Sequence, residues 1–159
     1  MSIQVGDQIP EAELSVMLGN RPQAVPTTEY FRGRKVVLFA LPGAFTPTCS
    51  AKHLPGYIAL ADAFFEKGVD AIACMAVNDV FVMDAWGKHA GSGRIDMLAD
   101  GNGEFTAALG LELDATGFGM GHRSKRFALI ADDGRVTGLW VEAPGEFRVS
   151  AAEHVLAQL

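Results

Sequence analysis

Two thiols stand in this sequence, Cys49 and Cys74, and their surroundings differ. Cys49 follows the run Pro42-Gly43-Ala44-Phe45-Thr46-Pro47-Thr48, directly after an apolar segment. Thr46 is a residue type that caps helices, and Pro47 suits a first helical position. Cys49 then falls in the first helical turn. Unpaired amide N–H groups and the positive end of the helix dipole favour a thiolate there, and the thiolate is the nucleophilic form of cysteine. The Thr46 hydroxyl and the free loop amides are suited to holding oxygen atoms. The pattern fits an activated cysteine with an anion pocket. It also fits a buried, inert thiol, since free cysteine is among the most buried residue types.

Cys74 lies inside the apolar run VDAIACMAV at 69–77 and reads as a core residue. The two cysteines form no CxxC, which excludes a thioredoxin-type redox motif and a zinc knuckle. His53, four residues after Cys49, could share a helix face with it. A Cys–His pair suggests a hydrolase-like nucleophile, but no third orienting group is evident, so a structural or surface histidine is expected. His89, His122 and His154 lack metal-ligand spacing, and neither a metal nor a cofactor is expected. The carboxylates show no spacing for a general acid–base pair.

The elements that must position these groups follow from hydrophobic period and turn chemistry. Glu11 to Leu18 alternates as a half-buried strand, turned by Gly19-Asn20. KVVLFAL at 35–41 is a strand covered on both faces. The helix after it carries Leu54, Ile58, Ala61 and Phe65 on one stripe and stops at Gly68. Val69 to Val77 is a second buried strand, and Asp79 caps a helix through Val82 and Trp86. A strand over 96–99 and a short helix over 102–109 come next. Arg126 to Ala131 and Arg135 to Glu142 form a hairpin about Asp132-Asp133-Gly134. Ser150-Ala-Ala-Glu153 reads as a capping box opening a last helix. A parallel βαβ half followed by an antiparallel half predicts an α/β protein with a thioredoxin-like fold, a central mixed sheet with helices on both faces.

One domain over 1–159 is expected for this length. With 49% hydrophobic and 20% charged residues, the chain should fold without staples. A net charge of −6 disfavours nucleic acid and anionic membranes as partners. No run reaches the roughly 18 apolar residues of a membrane span. The opening residues lack a basic and an apolar signal-peptide region, so a cytoplasmic location with both thiols reduced is expected.

The run PGAFTPTCS resembles the active-site loop of the peroxiredoxins, and with HLPGY at 53–57 it is similar to their type II (atypical, fifth) subfamily. KGVDAIACMAVNDVFVMDAWGK at 67–88 and RSKRFALIADDG at 123–134 extend the likeness over nearly the whole chain. The resemblance implies a thiol-dependent peroxidase acting on hydrogen peroxide and organic hydroperoxides. By position, Cys49 matches the peroxidatic cysteine, Thr46 the threonine that hydrogen-bonds thiolate and peroxide, Pro42 the proline that shields the thiolate, and Arg126 the invariant arginine. A guanidinium there would favour the thiolate and steady charge on the leaving oxygen. Arg123 is a secondary candidate, set against a plain solvated surface charge. With Thr48 and Phe45 it is expected near the substrate. Phe45, Phe118 and Met120 are either ordinary packing or a rim that admits organic peroxides and joins a homodimer interface.

The implied product on Cys49 is a sulfenic acid. Some type II members carry a resolving cysteine after the last strand, but 143–150 contains none here. Cys74 should lie on the order of 10 Å below the site, at about 3.3 Å per strand residue. A disulfide needs Cα atoms within about 7 Å. An external reductant is therefore expected: glutathione with glutaredoxin first, by resemblance to cysteine-poor members, and thioredoxin second. The competing readings are a redox sensor using the same thiolate, and a binding module with a dead site.

Overall fold

The computed structural model describes residues 2–159. In chain order the elements are β1 (Glu13–Leu18), β2 (Arg21–Pro26), α1 (Thr27–Tyr30), β3 (Lys35–Ala40), a π-helical turn (Cys49–His53) running into α2 (Leu54–Glu66), and β4 (Ala71–Ala76). Then come α3 (Val80–Ala90), β5 (Ile95–Ala99), α4 (Glu104–Leu109), β6 (Glu112–Asp114), β7 (His122–Ser124), β8 (Phe127–Asp132), β9 (Arg135–Val141) and α5 (Ala152–Leu156). Seven strands form one sheet in the order β2-β1-β5-β4-β3-β8-β9, and β6 pairs with β7 separately. β3, β4 and β5 are parallel; β8 pairs antiparallel with β3, and β9 pairs antiparallel with β8 at the sheet edge. This is the expected mixed sheet of the thioredoxin-like fold.

Successive side chains of a strand point to opposite faces, and the core divides accordingly. Val37, Phe39, Ile72, Cys74, Ala128 and Ile130 pack with residues of α2, α3 and α5 on one face. Val36, Leu38, Ala73, Met75, Phe127 and Leu129 pack with α1 and α4 on the other. The central runs at 35–40 and 71–76 read as continuous apolar stretches because both faces are covered. Arg126, just before β8, shares the parity of Ala128 and Ile130. Its side chain therefore emerges on the same face as α2.

Several expectations need correction. The buried stripe of α2 is Leu54, Tyr57, Ala61 and Phe64, with Ile58 and Phe65 only partly covered. The tyrosine wins because its ring stacks on Phe39, with centroids 3.9 Å apart and planes 3° from parallel. β2 was not expected: Pro22 and Pro26 argue against a strand, but β2 lies at the sheet edge, where an amide can be spared. The short β6–β7 pair was also not expected, being too brief to show a period. Ser150 does not open a capping box. Ala151 is the N-cap of α5, without a side-chain bond, and the Ser150 hydroxyl donates to Glu142 instead. Asp79 does cap α3, accepting from the Val82 amide at 2.9 Å. The hairpin turn is as expected, with positive φ at Asp133 (49°) and Gly134 (78°).

Candidate active site

The loop after β3 carries Cys49 to the carboxyl end of the parallel strands, where α/β sheets place their chemistry. Its path is pinned at several points. The Ala44 amide donates to the Asn78 side chain at 2.9 Å. Phe45 adopts φ +63°, a backbone state uncommon for an aromatic residue. The Gly43 position is crowded: an added Cβ would stand 3.0 Å from the Arg123 guanidinium. The helix then starts at Pro47, as expected. Thr46 caps it through its carbonyl, which accepts from the Ser50 amide at 2.9 Å. The Thr46 hydroxyl caps nothing; it donates to the Gly43 carbonyl at 2.7 Å. Its proton is thus committed, and its lone pairs are left as acceptors.

Between Cys49 and His53 the helix widens by one residue per turn, and the Leu54 amide donates to the Cys49 carbonyl. The cause is Pro55. Inside an otherwise continuous helix a proline has no N–H to donate and its ring crowds the carbonyl four residues back. A π-helical turn just before it relieves both defects.

Cys49 is buried, and an Arg126 Nη2 N–H donates to its Sγ at 3.1 Å. The other arm, Nη1, lies 2.8 Å from His53 Nδ1, while His53 Nε2 lies 3.1 Å from the Ser150 carbonyl oxygen. These partners fix the tautomer. A guanidinium has no acceptor and a carbonyl has no donor, so Nδ1 is bare and Nε2 carries the proton. Burial, and then the facing Arg126 charge, holds the imidazole down at about 3, so it stays neutral. His53 does lie on the same side of the helix as Cys49, but the guanidinium sits between them. It is neither a surface residue nor the base of a Cys–His pair. Phe147 closes the arrangement, its ring 5.8 Å from the Arg126 guanidinium carbon and edge-on to His53 at 5.1 Å.

The remaining candidates are dispersed around this centre. Arg123 donates from Nε to the Met120 carbonyl at 2.9 Å and from Nη1 to the Pro42 carbonyl at 3.4 Å, so it braces the loop rather than touching the sulfur. Pro42 and Thr48 join Arg126, Leu113, Lys125 and Pro144 around a recess of about 220 Å³ beside the site. Phe45 is not part of that recess. It is half exposed, with its ring 6.3 Å from Trp86 and 5.7 Å from His89. Cys74 is fully buried opposite Phe39 inside the sheet. Burial, and then the nearby Cys49, pushes its thiol well above the ordinary range, so it is a poor nucleophile. Among the described residues, no cluster of side chains could hold a metal ion and no helix is long and apolar enough to cross a membrane.

Sequence reasoning did not find Glu142, Ser150 or Phe147. Glu142 ends the expected hairpin, its amide donating to the Arg126 carbonyl at 3.0 Å, but Phe147 and Ser150 act from a loop whose return to the site has no local signature. The one local signal at Ser150, its spacing to Glu153, pointed to a cap that does not form.

A thioredoxin-like sheet that delivers a cysteine, with its sulfur bound by an arginine, defines a thiol-based redox enzyme. The comparisons agree. The redoxin family model matches residues 4–156. The chain is 49% identical to peroxiredoxin-2B of Arabidopsis thaliana over 99% of its own length and 98% of that protein's. It is 51% identical to the chloroplastic peroxiredoxin-2E-2 of Oryza sativa subsp. japonica, covering 99% of this chain and 73% of that one. The crystal structure of reduced Prx3 in complex with hydrogen peroxide from Vibrio vulnificus superposes with a TM-score of 0.96 at 55% identity, over 98% of both chains. The chain belongs to the peroxiredoxins, in the redoxin family, and is a thiol peroxidase.

Proposed function

We propose that the Cys49 thiolate attacks the terminal oxygen of a hydroperoxide in line with the O–O bond. The S–O bond forms as the O–O bond breaks, giving Cys49 sulfenic acid and an alkoxide or hydroxide that takes up a proton to leave as alcohol or water. The observation that carries this reading is the Arg126 N–H on Cys49 Sγ at 3.1 Å. A charge-assisted bond of this kind favours the thiolate, and the same cation can steady the departing oxygen. The Thr46 hydroxyl, its proton spent on Gly43, can accept a hydrogen bond from the hydroperoxide O–H and so orient the O–O bond. Pro42 shields the sulfur from water. The recess walled by Pro42, Leu113 and Pro144 leaves room for an organic substituent, with Thr48 at its edge. Hydrogen peroxide and organic hydroperoxides are the substrates.

An external thiol regenerates the enzyme. One glutathione condenses with the sulfenic acid to a mixed disulfide and water, and a second thiol releases reduced Cys49 as the disulfide product leaves. Glutathione with glutaredoxin is the first choice of reductant and thioredoxin the second. The burial and raised thiol of Cys74 support its exclusion from resolution.

Coupled assays following NADPH, with the glutathione–glutaredoxin and thioredoxin systems side by side, test this. Turnover should be faster with the former. Cys49→Ser should abolish it and Cys74→Ser should retain most of it. Peroxide alone should leave Cys74 a free thiol, and glutathione should then add one glutathionyl group to the Cys49 peptide. A Cys49–Cys74 disulfide formed without glutathione would overturn the one-cysteine cycle.

A further inference from the structure

Glu142 is nearly fully buried next to the active centre, and among the described residues it pairs with no cation. An unpaired buried carboxylate is strongly disfavoured unless hydrogen bonds replace its water. Here they do, all on one oxygen. Glu142 Oε2 accepts from the Arg148 amide at 2.7 Å, the Ser150 amide at 2.8 Å and the Ser150 hydroxyl at 2.6 Å. Burial pushes this carboxyl up, but the hydrogen bonds from Ser150, Arg148 and Val149 outweigh it and hold it below its ordinary range. It is therefore ionised whenever the enzyme works.

We infer that Glu142 is a positioning residue for the peroxidase reaction, acting through Ser150 and His53 on the Arg126 guanidinium. The inference rests on the reading that Arg126 supports the Cys49 thiolate. Each link is a hydrogen bond with a defined direction. Glu142 fixes Ser150, which is itself fully buried. The Ser150 carbonyl accepts from the Tyr57 hydroxyl at 2.7 Å and from His53 Nε2. That second bond holds the proton on Nε2 and leaves Nδ1 bare toward Arg126 Nη1. With one arm anchored, the guanidinium plane cannot turn, and its other arm meets the sulfur.

The chain also separates charges usefully. A carboxylate bonded directly to Arg126 would orient it but would cancel its positive charge, and with it the support of the thiolate. A neutral imidazole orients the guanidinium without that loss. The negative charge that organises the loop is bonded to Ser150 and not to the guanidinium, although the Glu142 amide donates to the Arg126 carbonyl at 3.0 Å. The segment after β9, which has no cysteine to resolve Cys49, thus serves as its buttress.

The test uses the full chain carrying Cys74→Ser, so that only Cys49 reacts with iodoacetamide. Alkylation is followed by intact mass from pH 5 to 9, beside the second-order rate with hydrogen peroxide. Glu142→Gln should slow alkylation on the acid limb of the profile by about tenfold, as expected for about one unit of lost thiolate stabilisation, with the rates converging at high pH. His53→Phe should do the same or more, and His53→Asn, which keeps an acceptor near the Nδ1 position, should recover most of the rate. The Glu142→Gln, His53→Phe double variant should be no slower than His53→Phe alone, because the two lie on one path. Ser150→Ala, which removes one donor to Glu142 and keeps the carbonyl, is the milder variant and should give a smaller shift of the same sign. A parent-like profile in both Glu142→Gln and Ser150→Ala, or losses that multiply in the double variant, would overturn the inference. Failure of the underlying reading is distinct: it would appear in the parent protein, as no peroxide consumption.

Discussion

At the scale of single residues, two arginines compete for one role and the geometry separates them. Arg126 reaches the sulfur; Arg123 reaches the Pro42 carbonyl. Arg126→Gln should therefore lower the second-order rate with peroxide by on the order of 100-fold, as for removal of one preorganised donor, and slow alkylation of Cys49 near neutral pH. Arg123→Ala should leave the alkylation profile in place. The reverse pattern in the two pH profiles would assign the role to Arg123. His53 gives a second prediction, in stability. Its imidazole titrates near 3 in the folded protein against 6.5 when unperturbed. Between these values the unfolded chain binds a proton that the native state refuses, so stability is full above about pH 6.5 and falls as the pH drops toward 3. The loss should reach a few kcal/mol at about 1.4 kcal/mol per unit. Urea midpoints measured from pH 7 to 4 should fall less steeply in His53→Asn; equal slopes would mean that other groups carry the acid sensitivity. Pro42, Thr46 and Cys49 were legible in the sequence because a short motif fixes their spacing, and Arg126 because the separate block RSKRFALIADDG resembles the family's arginine strand. The partners of His53 were not, since they depend on where a distant loop lands.

At the scale of elements, the π-helical turn is set by one residue. Pro55→Ala restores an amide donor and removes the ring, so the helix from Pro47 to Glu66 can regularise. One residue per turn amounts to about 100° of rotation for the segment before it. The variant should keep or raise its thermal midpoint while its rate with peroxide drops at least about tenfold, a magnitude typical of misplaced catalytic groups. Retained activity would show that the turn is not needed to aim Cys49. The strands were legible for the same kind of reason that this turn was not. KVVLFAL at 35–41 and VDAIACMAV at 69–77 announce buried strands by composition, and the order of elements then restricts the sheet to few arrangements. A π-helical turn has no period of its own, and Pro55 read simply as part of the HLPGY motif. The shift from Ile58 to Tyr57 on the buried stripe likewise came from a stacking partner, Phe39, on another element.

At the scale of the whole molecule, the sheet is well covered, and large apolar side chains stand exposed both away from the active site, as at Val5 and Leu18, and on its rim. Phe45 is 50% and Phe118 86% exposed, more than a stable surface needs from large aromatic side chains. The expected homodimer, built on this rim, gives a clear test: Phe118→Asp should shift the light-scattering mass toward that of one chain while the far-UV spectrum is unchanged. An unchanged mass would place any interface elsewhere.

The complete burial of Cys49 sets a kinetic limit. The recess reaches Pro42, Thr48 and Arg126 around the sulfur, so a small hydroperoxide needs only side-chain motion to meet it, but a protein thiol docking in line with the sulfur has no surface to dock on. Reduction must then wait for a unimolecular opening of the first helical turns, a local transition with its own free energy. Oxidation should stay linear in peroxide concentration. Reduction of the glutathionylated form by glutaredoxin, or of the sulfenic form by thioredoxin, should instead follow a hyperbola, levelling at one common ceiling that belongs to the peroxidase itself. Stopped-flow traces with the two reductants should converge on that same plateau.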